Sequence, residues 1–260
     1  MTGAALEALL RRDRAVVLAA LGVIGLLAWI HLIGMAAPAP GAPMGGMEMG
    51  PAPWSAADFA TMLAMWAAMM VGMMTPSVAP MLLLYARVAR SAEERGQPFA
   101  ATGWFGLGYL LAWSAFAVLA TGAQWLMEQA ALMTPAIAIA DRQIGGALLV
   151  AAGVYQWTPA KNACLGRCRS PLQFIQSQGG FRRERRASLL LGLKHGAYCI
   201  GCCWALMLLL FLGGVMNLLW IAGLAAIVLA EKVLPGGQKL ARAVGAALIV
   251  AGAALLVGAV

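Results

Sequence analysis

Seven apolar stretches run along the chain, at residues 15–34, 58–85, 99–126, 137–157, 188–212, 215–230 and 240–260, and short polar clusters separate them. An α-helix rises about 1.5 Å per residue, so about 20 such residues cross a hydrocarbon core about 30 Å thick. A water-soluble core cannot be built from this pattern. Of the 260 residues, 62% are hydrophobic and 11% charged, against about 25% charged in soluble domains. The expected fold is all-α: a polytopic integral membrane helical bundle of about seven transmembrane helices, forming a single transmembrane domain over 1–260. The sixth stretch is the shortest and rests on a Gly213-Gly214 break, so six spans plus a re-entrant segment is the alternative.

The basic residues orient such a bundle. Sixteen of the 18 Lys and Arg fall before the first stretch or after the second, fourth and sixth, all on one side of a seven-span model. Cytoplasmic loops collect Lys and Arg, so the N-terminus is expected in the cytoplasm and the C-terminus outside it. Arg142 beside Asp141 and Lys194 within the fifth stretch are the exceptions. The run Arg182-Arg183-Glu184-Arg185-Arg186 then reads as a topology signal in contact with anionic lipid, and the net charge of +8 carries no implication of nucleic acid. The first stretch is longer than the 7–15 residues of a signal-peptide core and is read as a retained span.

Methionine is unevenly distributed, with eleven of 16 copies between Met35 and Met81. Residues 36–57 form a Met/Pro/Gly-rich extracytoplasmic loop containing Met44, Met47 and Met49. Thioether sulfur is a soft donor that selects Cu(I) over harder ions, and this loop is either a flexible metal collector or a plain linker. In the second stretch Met62, Met65, Met69 and Met73 step by three, four and four, placing them on one helical stripe with Trp66 at its edge, and Met70 and Met74 form an adjacent row. Methionine also fills irregular gaps in cores. Thr75-Pro76-Ser77 and Pro80 follow, and proline lacks the N–H that a helix needs. A helix break lining a site in the inner third of the membrane is expected there.

All five cysteines lie in the second half. Cys164 and Cys168 sit in a basic cytoplasmic loop over 158–187, and Cys199, Cys202 and Cys203 in the fifth stretch. The cytoplasm keeps thiols reduced, which favours metal binding or redox chemistry over a structural disulfide. His195, Cys199 and Cys202 are spaced by four and three, so an imidazole and two thiols share one helical face, and Gly196 and Gly201 remove bulk beside it. Counting helical rise from each end brings Met69 and Cys199 to the same depth. If the second and fifth spans are neighbours, Met65, Met69, Cys199 and Cys202 share one soft-ligand layer, with Met73, Met74 and His195 in the next. Lys161, Arg167 and Arg169 near Cys164 and Cys168 are expected to lower those thiols' pKa values, suiting a two-thiolate Cu(I) relay. Two sulfurs do not complete a zinc site.

In three segments the chain resembles a bacterial family of predicted metal-binding integral membrane proteins, a domain of unknown function with a copper-chaperone-like label. The first is Met65-Trp-Ala-Ala-Met69-Met70-Val-Gly-Met73-Met74-Thr-Pro76-Ser77. The others are Lys161-Asn-Ala-Cys164-Leu-Gly-Arg-Cys168-Arg-Ser-Pro171, and Gly192-Leu-Lys194-His195-Gly-Ala-Tyr198-Cys199-Ile-Gly-Cys202-Cys203-Trp204 continuing through Met216-Asn217 to Glu231-Lys232. The resemblance implies metal binding, with copper as the metal.

The expected function is a membrane copper chaperone or transporter that handles Cu(I) without catalytic turnover. Its expected partners are the lipid bilayer and a copper-requiring protein or periplasmic copper carrier. Neither a Walker-type loop nor an Asp-Lys-Thr-Gly phosphorylation sequence is present, so an ATP-driven pump is not expected. Lys194, His195 and Glu231 are candidate proton carriers in any coupled transport, although Glu231 beside Lys232 also reads as a snorkelling interfacial acid. Two alternatives remain: a thiol–disulfide oxidoreductase using Cys199 and Cys202, or a structural assembly factor in which Met and Cys only pack.

Overall fold

The computed structural model describes residues 3–36, 54–93, 95–96, 102–134, 137–181 and 183–258, with side chains from Arg14 onward except Glu93. Met44, Met47 and Met49 lie outside the described residues. The chain forms α1 (Gly3–Ala36), α2 (Ala56–Glu93), α3 (Thr102–Gln129), α4 (Arg142–Tyr155), α5 (Pro159–Arg169), α6 (Pro171–Ser177), α7 (Arg185–Leu208), α8 (Leu210–Gly213), α9 (Leu218–Val233) and α10 (Gly237–Val257). Among the described residues the only β-type pairing is an isolated bridge between Met133 and Ile139.

Each of the seven apolar stretches contains a helix, but length divides them. Among the described residues, five segments are long and apolar enough to cross a membrane: Arg14–Ala36, Ala56–Ala92, Thr102–Gln129, Arg185–Gly213 and Gly237–Val257. With 14 and 16 residues, α4 and α9 reach only about 21 Å and about 24 Å at helical rise. Both begin at a side-chain cap, where Asp141 accepts from the Ile144 N–H and Asn217 from the Trp220 N–H. The outward faces are apolar: Leu119, Leu219 and Val250 are all exposed.

One local expectation fails. Pro76 and Pro80 do not break α2, which continues through both. The Thr75 hydroxyl donates to the Val71 carbonyl at 2.6 Å and Ser77 to the Met74 carbonyl at 2.8 Å, and an apolar helix packed among neighbouring helices tolerates proline. Within the 158–187 segment the chain forms the short helices α5 and α6. Pro159 and Pro171 each open one of these helices, where proline's missing N–H costs nothing.

Glycine sets the close helix pairs. In the α3–α7 pair, a Cβ on Gly192 would strike the Phe105 carbonyl, and one on Gly108 the Leu189 carbonyl. α4 and α10 run antiparallel with Gly146 against Gly252 and Gly153 against Gly245. These are small-residue interfaces of the kind that drive helix association in lipid. α2 packs chiefly on α1, α3 and α9, and α7 chiefly on α3 and α5. The second and fifth apolar stretches share little backbone contact, each packing more closely on α3, but they do meet through side chains, where the Tyr85 and Ser188 hydroxyls lie 2.7 Å apart.

Candidate metal centre

The methionine stripe faces inward. Met65, Met69, Met70, Met73 and Met74 are all at most 2% exposed, and Met62 is half-buried at the outer end. Near that end Trp66 stacks on Phe211 with ring centres 5.0 Å apart and donates to Gln124 Oε1 at 2.7 Å. Gln124 in turn donates to Glu128 at 2.8 Å and touches the Met62 sulfur at 3.6 Å.

On α7, His195, Cys199, Cys202 and Cys203 are buried as the helical spacing requires. A three-ring box of Phe105, Tyr109 and Phe174, with centres 5.0–5.9 Å away, surrounds His195. Its Nδ1 has no hydrogen-bond partner. Cys202 and Cys203 turn their thiols back onto the Cys199 carbonyl at 3.1 and 3.0 Å.

The junction of the two sulfur sets is a cation. From the last turn of α9, Lys232 sends its Nζ to Cys199 Sγ at 2.9 Å, Ser77 Oγ at 3.3 Å and Met74 Sδ at 3.9 Å. Tyr109 completes the cluster, with its hydroxyl 3.2 Å from Cys199 Sγ and donating to the Met74 carbonyl at 3.2 Å. Met74 thus shares a neighbour with Cys199. Lys232 and Tyr109 were not among the expected site residues, although Lys232 carried a signal as a charged residue at the end of an apolar stretch.

α5 runs along α7 and brings the second cysteine pair in. Cys168 Sγ is 4.0 Å from Cys202 Sγ, and Cys164 rests on Gly201, where a Cβ would come within 2.8 Å of its sulfur. The expected lowering of these two thiols is reversed. Burial, then the nearby Cys202 sulfur, pushes Cys164 up. Hydrogen bonding to Cys199 and Cys202, with burial adding to it, holds Cys168 well above the ordinary thiol range. The flanking cations are engaged elsewhere: Lys161 with Glu231 at 2.6 Å, Arg167 with Ser177 at 2.6 Å, and Arg169 with the Glu231 and Pro235 carbonyls.

The candidate proton carriers separate as well. Lys194 is exposed and donates to Gln178 at 3.2 Å, so it is not a buried intramembrane charge. Glu231, 1% exposed, is no snorkelling acid: it accepts from Lys161 and from Gln156 at 3.1 Å. Among the described residues, no three His, Cys, Asp or Glu side chains converge on a point that could hold a metal ion. A soft-metal site with three or more ligands among the described residues therefore draws on methionine as well as cysteine. Cys199, Met74 and Ser77, already converging on one ammonium, offer that mixed set.

These features define a class, a helical bundle with membrane-length helices and a thiol and thioether cluster at its centre. The chain belongs to the PpoB2 family of copper chaperones, whose family model matches residues 63–255. The match takes in the buried methionine row, both cysteine groups and Lys232. No curated protein and no solved structure is significantly similar to the chain.

Proposed function

We propose that the chain is a multi-pass protein of the bacterial inner membrane that receives Cu(I) as cargo and passes it to a copper-requiring protein or a periplasmic carrier. In this reading α4 and α9 complete a seven-helix membrane topology with the N-terminus in the cytoplasm. The methionines of α2 conduct the ion inward, and the face formed by His195, Cys199, Cys202 and Cys203 receives it. Cys164 and Cys168 form the next station. One observation carries the proposal: Met74 of α2 and Cys199 of α7 approach the same cation position, the Nζ of Lys232. Soft sulfur donors around a single positive charge are what a monovalent soft metal requires, and family membership names copper. The unpartnered Nδ1 of His195 is a further donor within one helical turn of Cys199.

Retention of Cu(I) by detergent-purified protein tests this reading. The parent is expected to hold copper, and the Cys199→Ser plus Cys202→Ser and Met69→Leu plus Met73→Leu variants to lose most of it. Equal retention by all three, or none by the parent, overturns it.

A further inference from the structure

Lys232 makes an unusual set of contacts for a buried lysine. An ammonium has three donors and no acceptor, and here the three find Cys199 Sγ, Ser77 Oγ and Met74 Sδ. No carboxylate is among these partners, because the adjacent Glu231 turns to Lys161 and Gln156. The ammonium sits where thiol, thioether and hydroxyl converge.

We propose that Lys232 is a resident surrogate cation, holding the Cys199–Met74–Ser77 cluster together in the metal-free chain and leaving it when a soft monovalent metal ion enters, so that loading and release exchange one cation for another. This rests on the copper reading of the same site and adds the device that controls it. Two unit positive charges a few Å apart in a protein interior repel strongly, so metal and ammonium cannot share the cluster. The ammonium has somewhere to go. Lys232 is 8% exposed, and the next residues, Val233 and Leu234, are 56% and 50% exposed. Its four-carbon stem can swing the charge toward that exposed end while staying packed. The carbonyls at the end of α9 favour a cation there, as Arg169 on the Glu231 carbonyl already demonstrates. Returning, the ammonium competes with the metal for the same donors and promotes its release. The charge also sets selectivity, since a monovalent ion restores the charge the lysine removes and a divalent ion does not.

Amine labelling of the full-length protein in detergent tests this directly. With a water-soluble acylating reagent, Lys232 is expected to be protected in the metal-free protein and labelled at least tenfold faster with stoichiometric Cu(I), while exposed Lys194 and Lys239 label equally in both states. Independently, Lys232→Leu is expected to bind Cu(I) at least tenfold more tightly than the parent against a competing chelator, and Lys232→Arg to stay within a few-fold of the parent. A parent that binds Cu(I) with Lys232 still protected, or a Lys232→Leu protein that binds no more tightly, overturns the proposal and leaves the copper reading standing. A parent that binds no Cu(I) overturns both.

Discussion

Lys161 and Glu231 meet at 2.6 Å in the interior, with side chains 1% and 2% exposed, and so tie α5 to the last turn of α9. Arg169, at the other end of α5, donates to the main-chain carbonyl of the same Glu231 at 2.6 Å. One turn of α9 is therefore gripped through both its side chain and its backbone. The residue that follows is Lys232, whose Nζ lies 2.9 Å from Cys199 Sγ. The ion pair thus anchors the end of α9 that carries this lysine against the methionine helix α2.

Removing one member of this pair is expected to be costly. Glu231→Ala leaves the Lys161 ammonium buried without its partner, which typically costs about 3–5 kcal/mol. A Lys161→Met plus Glu231→Leu double variant removes both charges and is expected to recover most of that loss. Thermal unfolding in detergent measures both, and a double variant as unstable as Glu231→Ala would contradict the expectation.

The α3–α7 contact gives a second prediction. Gly192→Ala places a methyl against the Phe105 carbonyl, and overpacking of this kind costs about 1–3 kcal/mol. It also pushes α3 from α7 and so separates the Tyr109 hydroxyl from Cys199, now 3.2 Å apart. Gly103→Ala, in open space on α3, is the control. Equal melting temperatures for the two variants would refute the claim that Gly192 sets this distance.

How far the site can be read from sequence follows from what each signal encodes. Helical periodicity is local, so the burial of Met65, Met69 and Met73 on one face and of His195, Cys199 and Cys202 on another was legible from spacing alone. Which of these faces meet was not. Depth counting paired Met69 with Cys199, but depth says nothing about which helices are neighbours, and α2 and α7 each pack more extensively on α3 than on one another. Lys232 and Tyr109 reach Cys199 across 33 and 90 residues of sequence, a separation no local pattern records. The cysteine pair erred differently: nearby cations in sequence implied lowered thiols, whereas the fold spends Lys161, Arg167 and Arg169 on other partners and buries the sulfur.

That reversal has a measurable consequence at Cys164. Only the thiolate attacks an alkylating reagent, and a pKa pushed up by burial and by Cys202 leaves less thiolate at any given pH. Alkylation of Cys164, followed by peptide mapping in the metal-free protein, is expected to be slower at pH 7.5 than for a free thiol. The rate should keep climbing above pH 9. A rate already level by pH 8 would mean that the flanking cations dominate after all.

The last prediction concerns which thiols pair on oxidation. Cys168 and Cys202 hold their sulfurs 4.0 Å apart across α5 and α7, and a disulfide needs about 2.05 Å, an approach that a small shift of α5 along α7 supplies. A two-electron azo oxidant such as diamide takes one proton and one electron from each thiol and joins the sulfurs. In metal-free protein the expected product is a Cys168–Cys202 bridge, found by mass mapping and absent from Cys168→Ser. Prior loading with Cu(I) is expected to suppress it, because bound sulfurs are no longer free to approach one another. A thiol–disulfide enzyme working through Cys199 and Cys202 makes the opposite prediction, with a Cys199–Cys202 bridge forming undiminished in Cys168→Ser. Finding that bridge would favour exchange chemistry over metal transfer at this face of α7.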